Sequence, residues 1–515
     1  MASVKRAVAN LYINRLTTGP ASVNLKRYYD SLTTDRDKQL FLTKVYTVVD
    51  SVATPQGKQL LREVVEKNDS IGLTRAKYEF AQIEQALAKF LDPQPGNFTW
   101  NVHFQEAVKM MERIFQSVTF ERVVPTTNEG FADLLTNAKS HAGVVALERA
   151  DRHKKSDFSD EYIQLFDEAV ERGQEYGNFG YPIVVLSRTQ ASEAFQDDGS
   201  FVPGKYKNKS RLVNAVSLPQ ILVELTYAKS VQKWLGQQDF YAGGKNQSGI
   251  GYVINNMVRR YNYGLSIDYS SFDATIPSWL IQAAFDIIGE RFSKSEDFDT
   301  QTWNAMVNSF IYKGVLMPDG VKYLYKGIPS GSQWTQIIGT MCNTLMVWTY
   351  MAARGIKDFK TIAMGDDNYI ATNRRLDVED LASYLNANFG TVIHPDKLHW
   401  TDHRVNGQRP NFLSREWTTS GCWRQPRVLL SRLLYPDHWS FYDDHDAVMR
   451  ILCYIHEFKL GMQEIIDFDK VSLLGKRYER LLRNSSEMVK HMSGSARYQH
   501  VHEGVDFDDY LRLLE

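Results

Sequence analysis

Apolar residues in the first quarter of the chain recur mainly at helical spacing. One run covers residues 37–52, and a second passes through Leu61. Pro55 and Gly57 separate the two runs, because proline and glycine interrupt regular helices. Residues 30–120 are therefore predicted to be mainly helical.

The centre of the chain alternates between strand and helix patterns. The short strand GLSID ends at Asp268 and is followed by the helical PSWLIQAAFDIIGERF, in which Pro277 falls in the first turn. A loop followed by a long helix is predicted within residues 329–354, and the runs TIAM and NYIA predict a hairpin around the GDD of residues 365–367. The pattern is helical again from about Gln425. An α+β fold with helices around a central sheet follows.

Composition and charge narrow the class of protein. With 515 residues, 43% of them apolar, the chain can bury a large core. A net charge of −1 allows nucleic-acid binding where positive charge is concentrated locally. The cysteines Cys342, Cys422 and Cys453 fit no zinc spacing and favour a reducing compartment. No signal peptide or membrane-spanning run is evident, so secretion and membrane insertion are not expected.

Three aspartates are the strongest candidates for chemistry. Asp268 ends a predicted strand, and Asp366 and Asp367 lie in the predicted hairpin turn, where Gly365 suits a tight bend. If these strands pair, the carboxylates gather at one rim of the sheet. Mg²⁺ prefers a few carboxylates plus substrate phosphates, and two such ions about 4 Å apart stabilise phosphoryl transfer. Asp and Gly are also ordinary turn residues, so the argument depends on the whole set.

Asp273 lies five residues beyond Asp268, past the predicted strand. Its carboxylate could accept a hydrogen bond from a ribose hydroxyl of an incoming nucleotide. The competing interpretation is an acid at a helix start, where it complements the helix dipole. The residues alone leave both interpretations open.

A glycine-serine loop, residues 327–333, precedes the long central helix. Small residues such as Gly331 let a backbone approach a nucleic-acid strand, and the Ser330 hydroxyl can bond phosphate or ribose. Thr335, Gly339 and Asn343 are four apart and share one helix face, which could look onto the nucleotide sugar. The alternative is an ordinary helix cap followed by a core helix.

A basic run lies further upstream in the chain. Lys205, Lys207, Lys209 and Arg211 alternate along a segment without acids, so their side chains point one way if the segment is extended. Such a strip can hold triphosphate or strand phosphates, with Arg211 bonding in a forked geometry. The alternative is a solvated edge strand protected by lysines.

The complete set of motifs resembles the viral RNA-dependent RNA polymerases. The motifs occur in that family's order over residues 140–425: KSRLVNAVS, DYSSFD, PSGSQWTQ, MGDD, FGTVIHPDKLHW and FLSREW, preceded by the weaker TNAKSHAG. The SGS-xx-TQ form and the chain length are most similar to polymerases of picobirnaviruses and partitiviruses, which have segmented double-stranded RNA genomes.

The resemblance implies a role for each candidate residue. Asp268, Asp366 and Asp367 would bind Mg²⁺, for which Mn²⁺ could substitute, and Lys397 would protonate the leaving pyrophosphate. Nucleotide binding is implied for Lys209, Arg211, Asp273, Ser330, Thr335 and Asn343. RNA binding is implied for Lys205, Lys207, Ser140, Gly143, Gly331 and Arg415.

One position departs from the pattern of many relatives. They carry Asn four residues after the motif's Thr, where this chain has Gly339, and the nearest Asn is Asn343, one turn further. One helical turn is about 5.4 Å, so we expect ribose selection to depend on Asp273, Ser330 and Thr335.

The resemblance also implies a right hand of fingers, palm and thumb, closed by an N-terminal extension. The expected segments are residues 1–120 for the extension, 121–262 and 285–334 for fingers, 263–284 and 335–425 for palm, and 426–515 for thumb and C-terminal segment. Expected partners are template RNA, nascent RNA, nucleoside triphosphates and capsid protein, with no membrane. The chain would act as a monomer in the virion interior and host cytoplasm.

Two other functions remain open at this stage. A reverse transcriptase uses a similar palm, but enzymes that accept deoxynucleotides usually place a bulky residue near the sugar, where this chain has Asp273. A nucleic-acid-binding capsid component without catalysis is the other alternative, and the intact carboxylate set argues against it.

Overall fold

The computed structural model describes residues 38–68, 80–135, 137–149, 151–195, 201–295, 298–317, 320–393, 398–435, 444–482, 507–512 and 514. Its N-terminal part is helical, as the apolar spacing predicts. The helices are α1 (Lys38–Val52), α2 (Pro55–Asn68), α3 (Phe80–Leu91), α4 (Val102–Phe115), α5 (Asn128–Leu134), α6 (Val145–Glu148), α7 (Tyr162–Tyr176), α8 (Leu218–Leu235), α9 (Gln247–Arg260), α10 (Phe272–Thr275), α11 (Ser278–Phe292), α12 (Thr300–Ile311), α13 (Thr335–Ala353), α14 (Val378–Phe389), α15 (Pro426–Leu434), α16 (Asp444–Ile465), α17 (Phe468–Leu482) and α18 (Phe507–Arg512).

The strands lie mostly in the middle of the chain. They are β1 (Ile183–Phe195), β2 (Phe201–Ala215), β3 (Tyr263–Ile267), β4 (Tyr269–Ser270), β5 (Lys313–Met317), β6 (Gly320–Leu324), β7 (Phe359–Met364), β8 (Asp367–Thr372), β9 (Val392–Ile393), β10 (His399–Asp402), β11 (Asn411–Phe412), β12 (Arg415–Thr418) and β13 (Gly421–Trp423). Helices before, between and after these strands give the predicted α+β fold.

The central sheet has the order β10-β3-β8-β7, and each neighbouring pair is antiparallel. It contains the predicted GLSID strand as β3 and the predicted hairpin as β7 and β8, so both predictions are confirmed. The short strand β4, directly after β3, pairs with β9 in a separate two-stranded sheet. The end of β3 is therefore held between two sheets.

A second four-stranded sheet has the order β2-β1-β5-β6. Strand β1 runs parallel to β5 and antiparallel to β2. The segment KYKNKSRLV lies within β2, which confirms that the basic run is extended. Because β2 is paired only with β1 in this sheet, it is an edge strand.

Two hydrophobic clusters meet at the central sheet. Ile370 of β8 belongs to a cluster built around α4, α8, α11, α12 and α13. Tyr369 and Ala371 belong to a cluster built from α1, α2, α9 and α15 to α18. Because successive strand residues point to opposite faces, β8 is buried between the two clusters, and this fixes the position of the turn at its start.

The predicted N-terminal extension is divided between these clusters. Helices α3 and α4 pack in the first cluster, whereas α1 and α2 pack with the C-terminal helices in the second. The corner between α1 and α2 is hydrogen-bonded to the corner between α16 and α17: the Thr54 amide donates to the Ile465 carbonyl (3.0 Å) and the Asp467 amide to the Val52 carbonyl (2.8 Å). Helix α2 also contacts β2.

The long central helix begins at Thr335, directly after the glycine-serine loop, so the predicted order of loop and helix is confirmed. The Thr335 hydroxyl donates to the carbonyls of Pro329 and Ser332, and the Ile338 amide makes a helical bond to the Trp334 carbonyl. Residues 329–333 use their polar groups in contacts outside the helix, so helical bonding starts only after them. None of the helices in the described part of the chain is long and apolar enough to cross a membrane.

Candidate active site

The aspartates of the two motifs are brought together by strand register. Ile267 of β3 pairs with Asn368 of β8, so Asp268 follows at the position beside Asp367. Neighbouring Cα atoms at such a position are about 5 Å apart. Asp268 is exposed. Asp268 and Asp367 therefore lie side by side at one rim of the sheet, as the sequence predicts.

The aspartate turn, residues 364–367, joins β7 to β8. Met364 pairs with Asp367, and Gly365 and Asp366 form the link between them. Gly365 has a φ of 63°, a left-handed value that glycine adopts without a side-chain penalty. Asp366 is exposed and Asp367 half-buried. The turn thus presents its acids towards solvent beside Asp268.

The side chain of Asn343 is hydrogen-bonded to the backbone of this turn. Its Nδ2 donates to the carbonyls of Gly365 (2.9 Å) and Asp366 (3.0 Å). Its Oδ1 accepts from the Tyr269 hydroxyl (3.1 Å) and from Nδ2 of Asn368 (3.0 Å). The side chain is fully buried and uses both ends of its amide. The structure therefore gives Asn343 a positioning contact, and its expected role in nucleotide binding stays a prediction.

Two further residues of the support were not identified from the sequence. The Thr340 hydroxyl accepts a hydrogen bond from the Gly365 amide (2.8 Å) and donates to the Gln336 carbonyl (2.7 Å). Burial, and secondly the charge of Asp366, raise the pKa of Tyr269, so its hydroxyl stays protonated and donates to Asn343. A Cβ on Gly339 would lie 3.6 Å from the Gly365 Cα, so the helix face expected to meet a sugar lies against the turn.

Asp273 lies in the first turn of the short helix α10 and is half-buried. Its carbonyl accepts a hydrogen bond from the Ile328 amide (2.7 Å), and the Gly327 amide donates to the Ile276 carbonyl (2.9 Å). The start of the glycine-serine loop is thereby bonded to the backbone around Asp273. Both expected roles, ribose contact and helix-start acid, are compatible with this position.

The middle of the loop is held against strand β2. The exposed Ser330 accepts a hydrogen bond through Oγ from the Asn214 amide (2.9 Å). A Cβ on Gly331 would lie 1.9 Å from the Asn214 carbonyl oxygen. The close approach that Gly331 permits here is to the protein's own strand, and its expected contact with RNA stays a prediction. Thr335 is half-buried and its hydroxyl bonds within the loop.

The basic residues of β2 are placed by backbone register alone. Lys207, Lys209 and Arg211 pair with Ser192, Gln190 and Arg188 of β1. The side chains of residues 187–211, including Lys205, lie outside the described part of the structure. Since Asn214 follows three positions after Arg211 on the same strand, its bond to Ser330 brings the glycine-serine loop close to the basic run.

Ser140 and Gly143 occupy a turn packed on the start of α8. The Ser140 hydroxyl donates to the Asn137 carbonyl (2.8 Å). Gly143 has a φ of 75°, and a Cβ there would lie 2.5 Å from the Ser217 Cα. Gly143 is buried, so its small size is used in packing against the chain itself. Burial is the main cause that lowers the pKa of the neighbouring His141 to about 4.

Arg415 lies on β12, next to the C-terminal helices. Its guanidinium is 3.8 Å from a carboxylate oxygen of Glu457 and 4.6 Å from the centre of the Phe458 ring. Burial raises the pKa of Glu457, while Arg415, Arg424 and Arg432 act to lower it. Arg415 is therefore held in an intramolecular contact, and its expected role in RNA binding stays a prediction. Lys397 lies outside the described residues; the segment leading to it leaves β9, which pairs with β4 beside Asp268.

The donor set at the rim fits divalent cations of the hard, oxygen-binding type. Asp268, Asp366 and Asp367 offer carboxylate oxygens on the ends of paired strands. Within the described ranges, no group of three or more His, Cys, Asp or Glu side chains is arranged to hold a metal ion. Mg²⁺ usually takes one or two carboxylates and completes its shell with water and substrate phosphates, so a partial, open set of acids suits it.

The central segment of the chain is similar in sequence to a known protein family. The family model described as viral RNA-dependent RNA polymerase matches residues 207–459. This segment contains the aspartates, the glycine-serine loop and most of the basic run.

Two curated relatives show the extent of sequence similarity. The RNA-directed RNA polymerase of Cryptosporidium parvum virus 1 (strain KSU-1) is 28% identical over 235 residues, which are 41% of this chain and 43% of that protein. The genome polyprotein of Simian hepatitis A virus genotype V (isolate AGM-27) is 27% identical over 138 residues, 25% of this chain and 6% of the polyprotein. The chain thus spans less than half the length of these curated relatives.

Solved structures show the same fold. The crystal structure of the RNA-dependent RNA polymerase of a human picobirnavirus has a TM-score of 0.63 at 12% identity, covering 86% of this chain and 88% of the other. Its insertion-loop deletion mutant has a TM-score of 0.60 at 12% identity, covering 96% and 91%. The fold is therefore that of a right-hand polymerase, as the motifs led us to expect.

Proposed function

We propose that this chain, whose residues 207–459 match the viral RNA-dependent RNA polymerase family, copies an RNA template by two-metal nucleotidyl transfer. The observation that carries the proposal is the register that sets Asp268 beside Asp367 and the exposed Asp366. Two chain segments about 100 residues apart supply carboxylates to one open rim, as metal-assisted phosphoryl transfer requires.

The aspartates would hold the metal ions. Asp268 and Asp366 would be the main ligands, with Asp367 in support, and Mg²⁺ or Mn²⁺ would be the ion. Bound there, the ions would help to deprotonate the attacking 3′-hydroxyl and neutralise charge on the triphosphate. The aspartate turn is held in position, with its acids facing the proposed metal site, by the side chains of Asn343, Thr340 and Tyr269.

The remaining residues would bind nucleotide and RNA. Asp273, Ser330 and Thr335 would read the ribose, since the loop bonded to α10 and to Asn214 brings their segments together. Lys209 and Arg211 would hold the triphosphate, and Lys397 would give a proton to pyrophosphate, a role typically worth about 10²–10⁴-fold. RNA would run past Lys205, Lys207, Ser140, Gly143, Gly331 and Arg415.

The expected subdomains give this site a right hand. We assign residues 121–262 and 285–334 to fingers, 263–284 and 335–425 to palm, and 426–515 to thumb and C-terminal segment. The contacts of α2 with β2 on one side and with α15 and α16 on the other support a bridging role for part of residues 1–120.

The wider setting follows from the resemblance. The template would be a viral genome, of the segmented double-stranded kind found in picobirnaviruses and partitiviruses, and the polymerase would both replicate and transcribe it. It would act as a monomer with a capsid protein as partner, in the virion interior and the host cytoplasm. The fold shared with the human picobirnavirus polymerase supports this assignment.

The test is nucleotide incorporation by purified protein on a short single-stranded RNA, with labelled ribo- or deoxynucleotides and Mg²⁺ or Mn²⁺. Wild type should make RNA complementary to the template. Asp366→Ala should abolish synthesis and remain folded by circular dichroism, because one acid of the metal set is lost. Asp133→Ala, which removes an exposed acid on α5, is the matched control and should stay active.

Three results would change the assignment. Near-wild-type synthesis by Asp366→Ala would exclude these aspartates as the metal site. Preference for deoxynucleotides would favour a reverse transcriptase. Failure of the wild type to extend any template with either ion would favour a nucleic-acid-binding capsid component.

A further inference from the structure

The glycine-serine loop is anchored at its first end by a buried lysine outside the polymerase motifs. Nζ of Lys313, at the start of β5, lies 3.0 Å from the Lys326 carbonyl and 2.8 Å from the Gly327 carbonyl. It also reaches the Phe310 carbonyl (2.9 Å) and the Ile311 carbonyl (3.3 Å) at the end of α12. One ammonium group therefore ties the beginning of the loop to a helix terminus.

This lysine is an unusual choice for a structural contact. Only 5% of Lys313 is exposed, and burial lowers its pKa to about 7. Burying a charged group without an opposite charge is costly, and an apolar residue of similar volume is often as stable in such a place. A compact ammonium with three N–H donors can, however, gather carbonyls from separate segments, which an apolar side chain cannot do.

The other end of the loop is anchored by a buried acid. Glu224 of α8 is completely buried. One of its carboxylate oxygens accepts from the Ser332 hydroxyl (2.8 Å) and the Gln333 amide (2.8 Å), and the other accepts from Nε2 of Gln220 (2.9 Å). Burial is the main cause that raises the pKa of Glu224, and these hydrogen bonds oppose it. The loop thus begins on a buried cation and ends on a buried carboxylate.

The segment between the two anchors makes the contacts on which nucleotide selection would depend. The Ile328 amide is bonded to the Asp273 carbonyl (2.7 Å), and Ser330 is bonded to the Asn214 amide (2.9 Å). With both ends fixed, about four residues define the separation between α10 and strand β2. That separation sets the space between Asp273 and the strand that carries Lys209 and Arg211.

We propose that Lys313 and Glu224 are positioning residues that set the ribose specificity of the site by fixing both ends of the glycine-serine loop. The inference rests on the proposed polymerase function. Neither side chain touches the nucleotide; each acts through the loop backbone. Discrimination that depends on a hydroxyl contact is sensitive to such placement, because a site built to bond a hydroxyl rejects the analogue that lacks it only when the partner groups are in position.

The experiment compares Lys313→Met and Glu224→Ala with wild type in single-nucleotide extension. The ratio of kcat/KM for a ribonucleotide to kcat/KM for the 2′-deoxynucleotide should fall about tenfold or more in each variant. Most of the change should be a higher KM for the ribonucleotide. Glu224→Gln keeps an oxygen for Ser332 and Gln333, so it should recover most of the lost ratio.

The control separates positioning from general destabilisation. Leu452→Ala removes a buried side chain from α16, which belongs to the other hydrophobic cluster, and each variant's unfolding midpoint is measured alongside. The expected result is an unchanged ratio in Leu452→Ala even where its midpoint falls as far as that of Lys313→Met. If Lys313→Met and Glu224→Ala both extend RNA with the wild-type ratio, the proposal is wrong. Inactivity of the wild type itself would instead refute the polymerase assignment.

Discussion

The aspartate turn and the glycine-serine loop are both supported by buried side chains, but the chemistry of the supports differs. The turn is held by an amide and a hydroxyl, those of Asn343 and Thr340. The loop is held by Lys313 and Glu224, which can both carry charge. A charged support directly under the aspartates would alter their pKa values and the field that holds cations. The glycine-serine loop does not carry these aspartates, so side chains that can be charged are able to anchor it without lying directly under the proposed metal site.

The largest effect, on the rate of nucleotide incorporation, is expected from removing the side chain of Asn343, which supports the aspartate turn. Asn343→Ala removes both bonds that hold the Gly365 and Asp366 carbonyls and leaves buried partners without hydrogen bonds. A misplacement of reacting groups by about 1 Å can cost about 10²-fold in rate, so kcat should fall by about that factor while the KM for nucleotide changes little. Steady-state extension assays measure both quantities. A change confined to KM would mean that Asn343 contacts the nucleotide after all.

A smaller effect, on stability, is expected from alanine substitution of a glycine in each region: Gly331 in the glycine-serine loop and Gly365 in the aspartate turn. A Cβ at Gly331 would meet a backbone oxygen at 1.9 Å, whereas a Cβ at Gly365 would meet nothing within 4 Å and would only keep the strain of a φ of 63°. Gly331→Ala should therefore lower the free energy of unfolding by about 1–3 kcal/mol, and Gly365→Ala by about 1 kcal/mol.

Denaturant titration of both variants measures this difference. The reverse order, with Gly365→Ala the less stable protein, would show that the loop can move away from β2 at little cost. Equal values would mean that the contact between Gly331 and Asn214 relaxes as easily as the turn.

A third effect is a dependence of stability on pH that only the loop should show. Because folded Lys313 has a pKa of about 7 and the unfolded residue one of about 10, the unfolded chain binds more protons between these values. The free energy of unfolding of wild type minus that of Lys313→Met should rise with pH over this window, by at most about 1.4 kcal/mol per pH unit. Below pH of about 7 the difference should be flat.

Asn343→Ala is the matched control, since its side chain does not titrate. The difference between wild type and this variant should stay constant over the same pH range in denaturant titrations. A flat difference for Lys313→Met as well would show that the lysine keeps its ordinary pKa in the folded protein.

The sequence predicted the strands and the hairpin because their signals are local. GLSID, TIAM and NYIA have apolar runs bounded by Gly and Asp, and the structure contains them as β3, β7 and β8. The α+β class followed from the alternation of strand and helix patterns, and the polymerase fold followed from the order of the motifs. Where the central helix begins was not predictable, since it depends on bonds from residues 329–333 to distant segments.

The supports of the site were missed for a related reason. A single lysine in a strand or glutamate in a helix is usually exposed, and nothing around Lys313 or Glu224 in the sequence distinguishes them. Their roles depend on burial and on which backbone groups they reach in the fold. Asn343 was identified, but helical spacing gave only its face and not the turn that this face meets.

The bonded corners of α1–α2 and α16–α17 have a consequence for how the chain matures. Thr54 and Ile465 are more than 400 positions apart, and a Cβ on Gly57 would lie 2.0 Å from the Ile465 carbonyl oxygen. Helices α1 and α2 therefore gain this docking site only after residues 444–482 have been synthesised, and contacts of such long sequence separation form slowly. Until then the apolar faces of α1 and α2 have no partner among these helices, and apolar surface exposed in this way during folding favours aggregation.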